Sequence, residues 1–221
     1  MSSLTSNKVM QVLDSLYDQA LEGLPFTDSA EELAKDYLKS DEPLESQIDS
    51  LIRWQAAKCG ASGFLSGLGG LITLPLAIPA NLGSTWYVHL RMLAAIAYMR
   101  GWDPKSDQVR TLAYLTLCGD AGVTILKNIG IRIGEKVAEK AIQKISGEAL
   151  KRINQQIGFR LITKFGEKGI VNLAKAIPLL SGGIGLVVDA YTCNEVGDLG
   201  KKYFVLRSNR SSKDGSDLRA A

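Results

Sequence analysis

The stretch CGASGFLSGLGGLITLPLAIPANLGSTWYV, residues 59–88, decides the fold class. Its 30 residues hold no Asp, Glu, Lys or Arg. Gly60, Gly63, Gly67 and Gly70 recur at intervals of three, four and three, which sets them on one face of a helix. A glycine inside a helix costs about 0.5–1 kcal/mol relative to alanine, so four on one face require a compensating gain. Close approach of another backbone supplies it, in a protein core or between helices in lipid. Pro75 and Pro79 break the run, and Pro79 can open a second helix that continues to Met99 and stops at Gly101. The pattern predicts a central glycine-rich apolar helical hairpin.

Length argues against a simple transmembrane span. Residues 60–74 make about 22 Å of helix, short of the roughly 30 Å hydrocarbon core. The following helix is long enough, but His89 and Arg91 fall near its middle. A hairpin buried in the bundle therefore ranks first, and one that inserts shallowly or docks on a membrane second. Trp86, Tyr87, Tyr98 and Trp102 are the candidate interfacial anchors of the second reading.

Outward from this stretch every segment reads as helix. Val9, Leu13, Leu16, Tyr17, Ala20 and Leu21 recur at helical spacing, and Gly23 with Pro25 stops that helix. Residues 27–32 (TDSAEE) carry an N-cap with a glutamate placed for a capping box. Asp41 with Pro43 opens a third helix, and Asp103 with Pro104 repeats the signal. Residues 109–126 read as one apolar helix, Ser146 caps a segment whose buried face is Leu150, Ile153, Ile157 and Leu161, and a last helix follows Pro178 to Phe204. No period-2 alternation of useful length appears. The expectation is an all-α, single-domain helical bundle: an N-terminal amphipathic helix (1–26), a main helical domain (27–206) and a disordered polar tail (207–221).

The net charge of +3 hides an asymmetry. Residues 1–58 carry 11 acidic and 5 basic side chains, whereas residues 127–175 carry 11 basic and 4 acidic. Lys136, Lys140, Lys144, Lys151 and Arg152 form a candidate anionic-lipid face, with Lys164 and Lys168 beyond it; a solvated helix face is the plainer reading. The chain is only mildly basic and has no recognised nucleic-acid motif, so no nucleic-acid partner is expected.

Several chemistries are excluded by inventory. His89 is the single histidine, and it lies on an apolar helix, where a hydrogen-bonded packing role is expected. Cys59, Cys118 and Cys193 are far apart in sequence and odd in number. They make no Cys-x-x-Cys and no disulfide framework, so no metal and no cofactor is expected, and a reducing, cytoplasmic compartment fits. Gly67-Leu68-Gly69-Gly70 lacks the third glycine of a dinucleotide fingerprint, and no Walker sequence or nucleophile elbow is present. Arg91, Asp120, Arg160 and Asp189 stand in apolar contexts, and a buried charge normally pairs. They form a candidate buried polar cluster, in which Arg91 or Arg160 is expected to pair with Asp120 or Asp189.

The stretches GFLSGLGGLITLPLAIPANLGSTWYVHLRMLAAIAY (63–98), NQQIGFRLITKFGEKGIVNLAKAIP (154–178) and GGIGLVVDA (182–190) resemble the EcsC family of bacterial proteins. The resemblance spans residues 30–205. The family takes its name from a gene beside those of an ABC exporter, which implies a link to membrane transport or secretion. It brings no catalytic residues to carry over.

The combined reading is a non-enzymatic, membrane-associated or interaction protein, peripheral on the inner face of the membrane. Its partner would be a membrane surface or membrane protein, met by the glycine-rich hairpin and the basic face. The alternative is a small-ligand-binding protein or unrecognised enzyme using the Arg/Asp cluster.

Overall fold

A computed structural model describes residues 5–25, 27–59, 80–131, 138–165 and 183–207, with backbone alone at 80–81, 138–139, 164–165 and 183–189. The described residues form an all-helical bundle with no strand. In chain order the helices are α1 (Ser6–Glu22), α2 (Ala30–Leu38), α3 (Leu44–Cys59), α4 (Ala80–Met99), α5 (Asp107–Leu117), α6 (Asp120–Asn128), α7 (Ala138–Gln143), α8 (Gly147–Phe165) and α9 (Gly183–Tyr203). The glycine hairpin positions Gly60, Gly63, Gly67, Gly70, Pro75 and Pro79 lie outside the described residues, as do Lys136 and Lys168.

Helix α4 is the axis of the bundle. Its side chains from Trp86 to Ala97 are all buried, so it has no solvent face. A helix apolar all round has to be a core helix or a membrane span. Here α1, α2, α3, α5 and α9 surround it. Burying each Leu or Met along it contributes about 1.5–3 kcal/mol, and the neighbouring helices exist chiefly as amphipathic covers for it.

The register of α3, α4 and α9 follows from their contacts. Asp49 and Glu45 meet Lys201, while Ile52 meets Gly197, so α3 and α9 run antiparallel. Gly200 faces Leu93 and Arg100 reaches the carbonyl of Phe204, so α9 runs parallel to α4. One clamp fixes the far end of this layer. The buried Arg100 guanidinium donates to both carboxylate oxygens of Glu45, at 2.6 and 2.7 Å. It also donates to Lys201 O (2.8 Å) and Phe204 O (3.0 Å), orphan carbonyls at the C-terminus of α9. One planar cation thus joins three helix ends.

Local signals set the boundaries. The Ser29 hydroxyl accepts from Glu32 N, and the Glu32 carboxylate accepts from Ser29 N at 2.9 Å, the reciprocal box that starts α2. Accepting that backbone donor holds the Glu32 carboxyl below its usual range. Gly23 (φ 86°) and Gly101 (φ 82°) end α1 and α4 in a conformation that favours glycine. Two expected starts and spans move. The cap of α5 is Ser106, not Asp103, whose carboxylate instead closes a turn onto Lys105 N at 2.9 Å. The single helix expected over 109–126 is two, because Gly119 takes φ 60° and breaks the ladder between α5 and α6.

The first helix is part of the same body. Leu13, Leu16, Tyr17 and Ala20 of α1 are fully buried. Tyr17 and Tyr114 meet edge to face at 5.8 Å, the Tyr114 hydroxyl donates to Asp14 at 2.8 Å, and Arg110 pairs with Asp18 at 2.6 Å. The acidic N-terminal helices are therefore held by Arg100, Arg110 and Lys201, none of which belongs to the basic stretch 127–175.

Candidate functional site

Among the described side chains, Arg91, Asp120 and Arg160 do not pair with one another. Arg91 is buried at 2% exposure, but its partners are neutral: it donates to Asp28 O (3.1 Å) and Gln55 Oε1 (3.2 Å), and lies 5.7 Å from the Tyr87 ring. Asp120 and Arg160 are exposed, and the Asp189 side chain falls outside the description. The expected pairing of Arg91 with Asp120 is not made. Position on an apolar-looking helix did not imply burial here, because Asp120 opens α6, where a carboxylate favours the helix N-terminus from the solvent side. Arg91 instead spends its charge within the core, and it lowers the pKa of half-buried Lys58, whose largest perturbation is burial itself.

The aromatic anchors also move. Trp86, Tyr87 and Trp102 are core residues, and Tyr98 is half-buried with its hydroxyl on Glu31 at 3.3 Å. Other aromatic residues take the surface: Trp54 on α3 is 62% exposed, and Tyr191 on α9 and Phe159 on α8 are each 63% exposed. The antiparallel register places Trp54 and Tyr191 about one to two turns apart in level on adjacent helices. Trp54 stands about a turn and a half before Cys59, the end of α3, and Tyr191 about half a turn before Cys193, which meets Cys59 midway along α9. The charge-free segment 60–79 follows Cys59 and precedes Ala80, the first residue of α4.

Of the basic face, Lys140, Lys144, Lys151 and Arg152 are exposed, Arg152 pairing with Glu148 at 2.7 Å. They surround the α7–α8 junction, which is tied to the start of α5 by Gln108 Nε2 donating to Ile145 O at 3.5 Å. That places them by the C-terminal end of α4. The 20-residue α4 spans about 30 Å, so the cations and the charge-free segment do not share one end.

The structure does assemble three residues that sequence spacing kept apart. Cys59, His89 and Cys193 each bring one donor atom, and these atoms lie within 4.8 Å of one another. All three residues are buried, His89 at 2% exposure, and none of the cysteines forms a disulfide. The His89 Nε2 has no hydrogen-bond partner, so the packing role expected of His89 is incomplete. An unmet buried nitrogen of this kind costs about 1–3 kcal/mol. No local motif announces the cluster, since the members come from three helices.

These features define a class first: a helical bundle around a central helix buried from Trp86 to Ala97, with a charge-free glycine-rich segment of sequence between α3 and α4. The chain belongs to the EcsC protein family, whose model matches residues 1–208. That match takes in α1, in keeping with its place in the core. No curated protein and no solved structure matches the chain.

Proposed function

We propose that this EcsC-family protein is a non-enzymatic, membrane-associated protein that docks on a bilayer through its α3/α9 face. The observation that carries the reading is the exposure of Trp54 and Tyr191 on the adjacent helices α3 and α9, beside the point at Cys59 from which the charge-free segment 60–79 departs. Aromatic side chains with an apolar body and a polar tip favour the headgroup level, and a charge-free run beside them costs little to desolvate. No described helix is long and apolar enough to cross a membrane, which suits surface docking. Three cysteines without a disulfide support the inner, reducing face of that membrane. Placement at a bilayer is also what a link to an exporter would require.

The exposed cations Lys140, Lys144 and Lys151 lie by the C-terminal end of α4, away from Trp54 and Tyr191, and attraction to anionic lipid falls off within a Debye length, so they contribute little to docking through this face. Flotation of the full-length protein with vesicles separates the two contributions. Binding to neutral vesicles, decreased several-fold by Trp54→Ala with Tyr191→Ala, supports the reading. Absence of flotation on any vesicle would sink it. So would binding that needs anionic lipid, disappears in high salt and ignores the aromatic substitutions.

A further inference from the structure

We propose that Cys59, His89 and Cys193 form a binding site for a single thiophilic cation of the Zn2+ class. Their donor atoms already lie within 4.8 Å of one another. Tetrahedral zinc, at about 2.3 Å from sulfur and 2.0–2.1 Å from nitrogen, holds its donors roughly 3.5–3.8 Å apart. Closing the site therefore takes side-chain shifts of about 1 Å, with the three helices left in place. Thiolate and imidazole together select borderline-soft ions and disfavour Mg2+ or Ca2+.

The chemistry of the core favours occupancy. His89 Nε2 is buried with no hydrogen-bond partner, and a neutral imidazole nitrogen is a natural zinc ligand. Two cysteine thiols release two protons to solvent as one dication binds, so the three-residue site with its ion is uncharged. That balance suits a core that already holds the Arg91 guanidinium on neutral partners. The fourth coordination position remains for a ligand outside these three residues. Affinity rises with pH while the thiols are being deprotonated.

The site has a structural consequence. Cys59 is the last residue of α3, His89 lies midway along α4, and Cys193 lies midway along α9. One ion would pin the end of α3, where segment 60–79 begins, to the middles of α4 and α9, about three turns from the Arg100 clamp. The inference stands whether or not the protein docks on lipid.

Cobalt(II) titration of the full-length, reduced protein tests it. The expected result is one Co2+ per chain, with thiolate-to-cobalt charge-transfer absorption and tetrahedral visible bands, all displaced by Zn2+. Cys59→Ser and Cys193→Ser should each weaken binding by about 100-fold and remove much of the charge-transfer intensity. His89→Gln should weaken it as well, and Cys118→Ser should leave it unchanged. Circular dichroism reports whether each variant is folded, and the wild-type titration stands without them. A folded wild-type protein that takes up no Co2+, or that oxidises to a Cys59–Cys193 disulfide without gaining a metal site, overturns the proposal. Equal loss in Cys118→Ser overturns it too.

Discussion

Replacing Gly197 by alanine is expected to destabilise the protein by about 1 kcal/mol, although alanine is the better helix former. A Cβ at position 197 would lie 2.7 Å from both Cγ1 and Cγ2 of Ile52, and 3.0 Å from its Cδ1. Both close atoms are bonded to the branched Cβ of Ile52, so turning χ1 exchanges one clash for the other. Helices α3 and α9 must then separate, and overpacking of this sort costs about 1–3 kcal/mol. The gain in helix propensity offsets about 1 kcal/mol of that. Gly200 provides the control on the same helix. Its added Cβ would meet Leu93 Cδ2 at 2.6 Å, the far end of a longer side chain, which can yield by a small rotation. Gly200→Ala should therefore be neutral or stabilising by up to about 1 kcal/mol. Urea unfolding followed by far-ultraviolet circular dichroism gives both values from midpoints at a shared m. Combining Gly197→Ala with Ile52→Ala should cost about 1–2 kcal/mol less than the sum of the single changes, because each variant relieves the other. Equal stability of the two glycine variants, or strict additivity with Ile52→Ala, would refute the packing argument.

Arg100→Met should destabilise by about 2–4 kcal/mol, since it strands the carbonyls at the end of α9 and unties Glu45; Arg100→Lys should restore little of this, while Arg152→Ala, at an exposed pair, should change stability by under about 0.5 kcal/mol. Thermal unfolding measures all three. Alkaline stability offers a separate check. Burial raises the pKa of Tyr17, Tyr114 and Tyr203 above the ordinary value of 10.0, with neighbouring Asp14 adding to the effect at Tyr114. The folded state thus keeps protons that unfolded tyrosines lose above about pH 10, so stability present below that pH declines as pH rises beyond it. Each tyrosine contributes a slope of about 1.4 kcal/mol per pH unit. Tyr114→Phe should reduce the slope by one such step, and an unchanged slope would show that its hydroxyl titrates freely in the folded state.

What the sequence made legible was local physics. The capping box at Ser29 and Glu32, the stops at Gly23 and Gly101, the cap at Ser146 and the helix from Ala80 to Met99 all rest on interactions within a few residues. Gly119 shows where that runs out, because a glycine in a helical pattern fits an unbroken helix as well as a left-handed break. Trp86 and Tyr87 entered the core and Trp54 the surface for reasons set by which helices pack, not by aromatic character. Arg91 found a backbone carbonyl and a glutamine amide, partners that no charge pattern marks. The Cys59–His89–Cys193 cluster was hidden most completely, because its members are 30 and 104 residues apart and only the α3/α4/α9 register joins them.

The most direct test of the docking account uses the protein's own tryptophans. The chain has three; Trp86 and Trp102 are buried, and Trp54 is 62% exposed on the α3/α9 face assigned to the bilayer. Vesicles carrying bromine on the upper acyl chain should quench the Trp54 emission on binding, and in Trp54→Phe the quenching should fall to the small residue left by the buried pair. Quenching that is absent in the wild-type protein, or that persists undiminished in Trp54→Phe while the protein floats, would contradict docking through this face of the bundle.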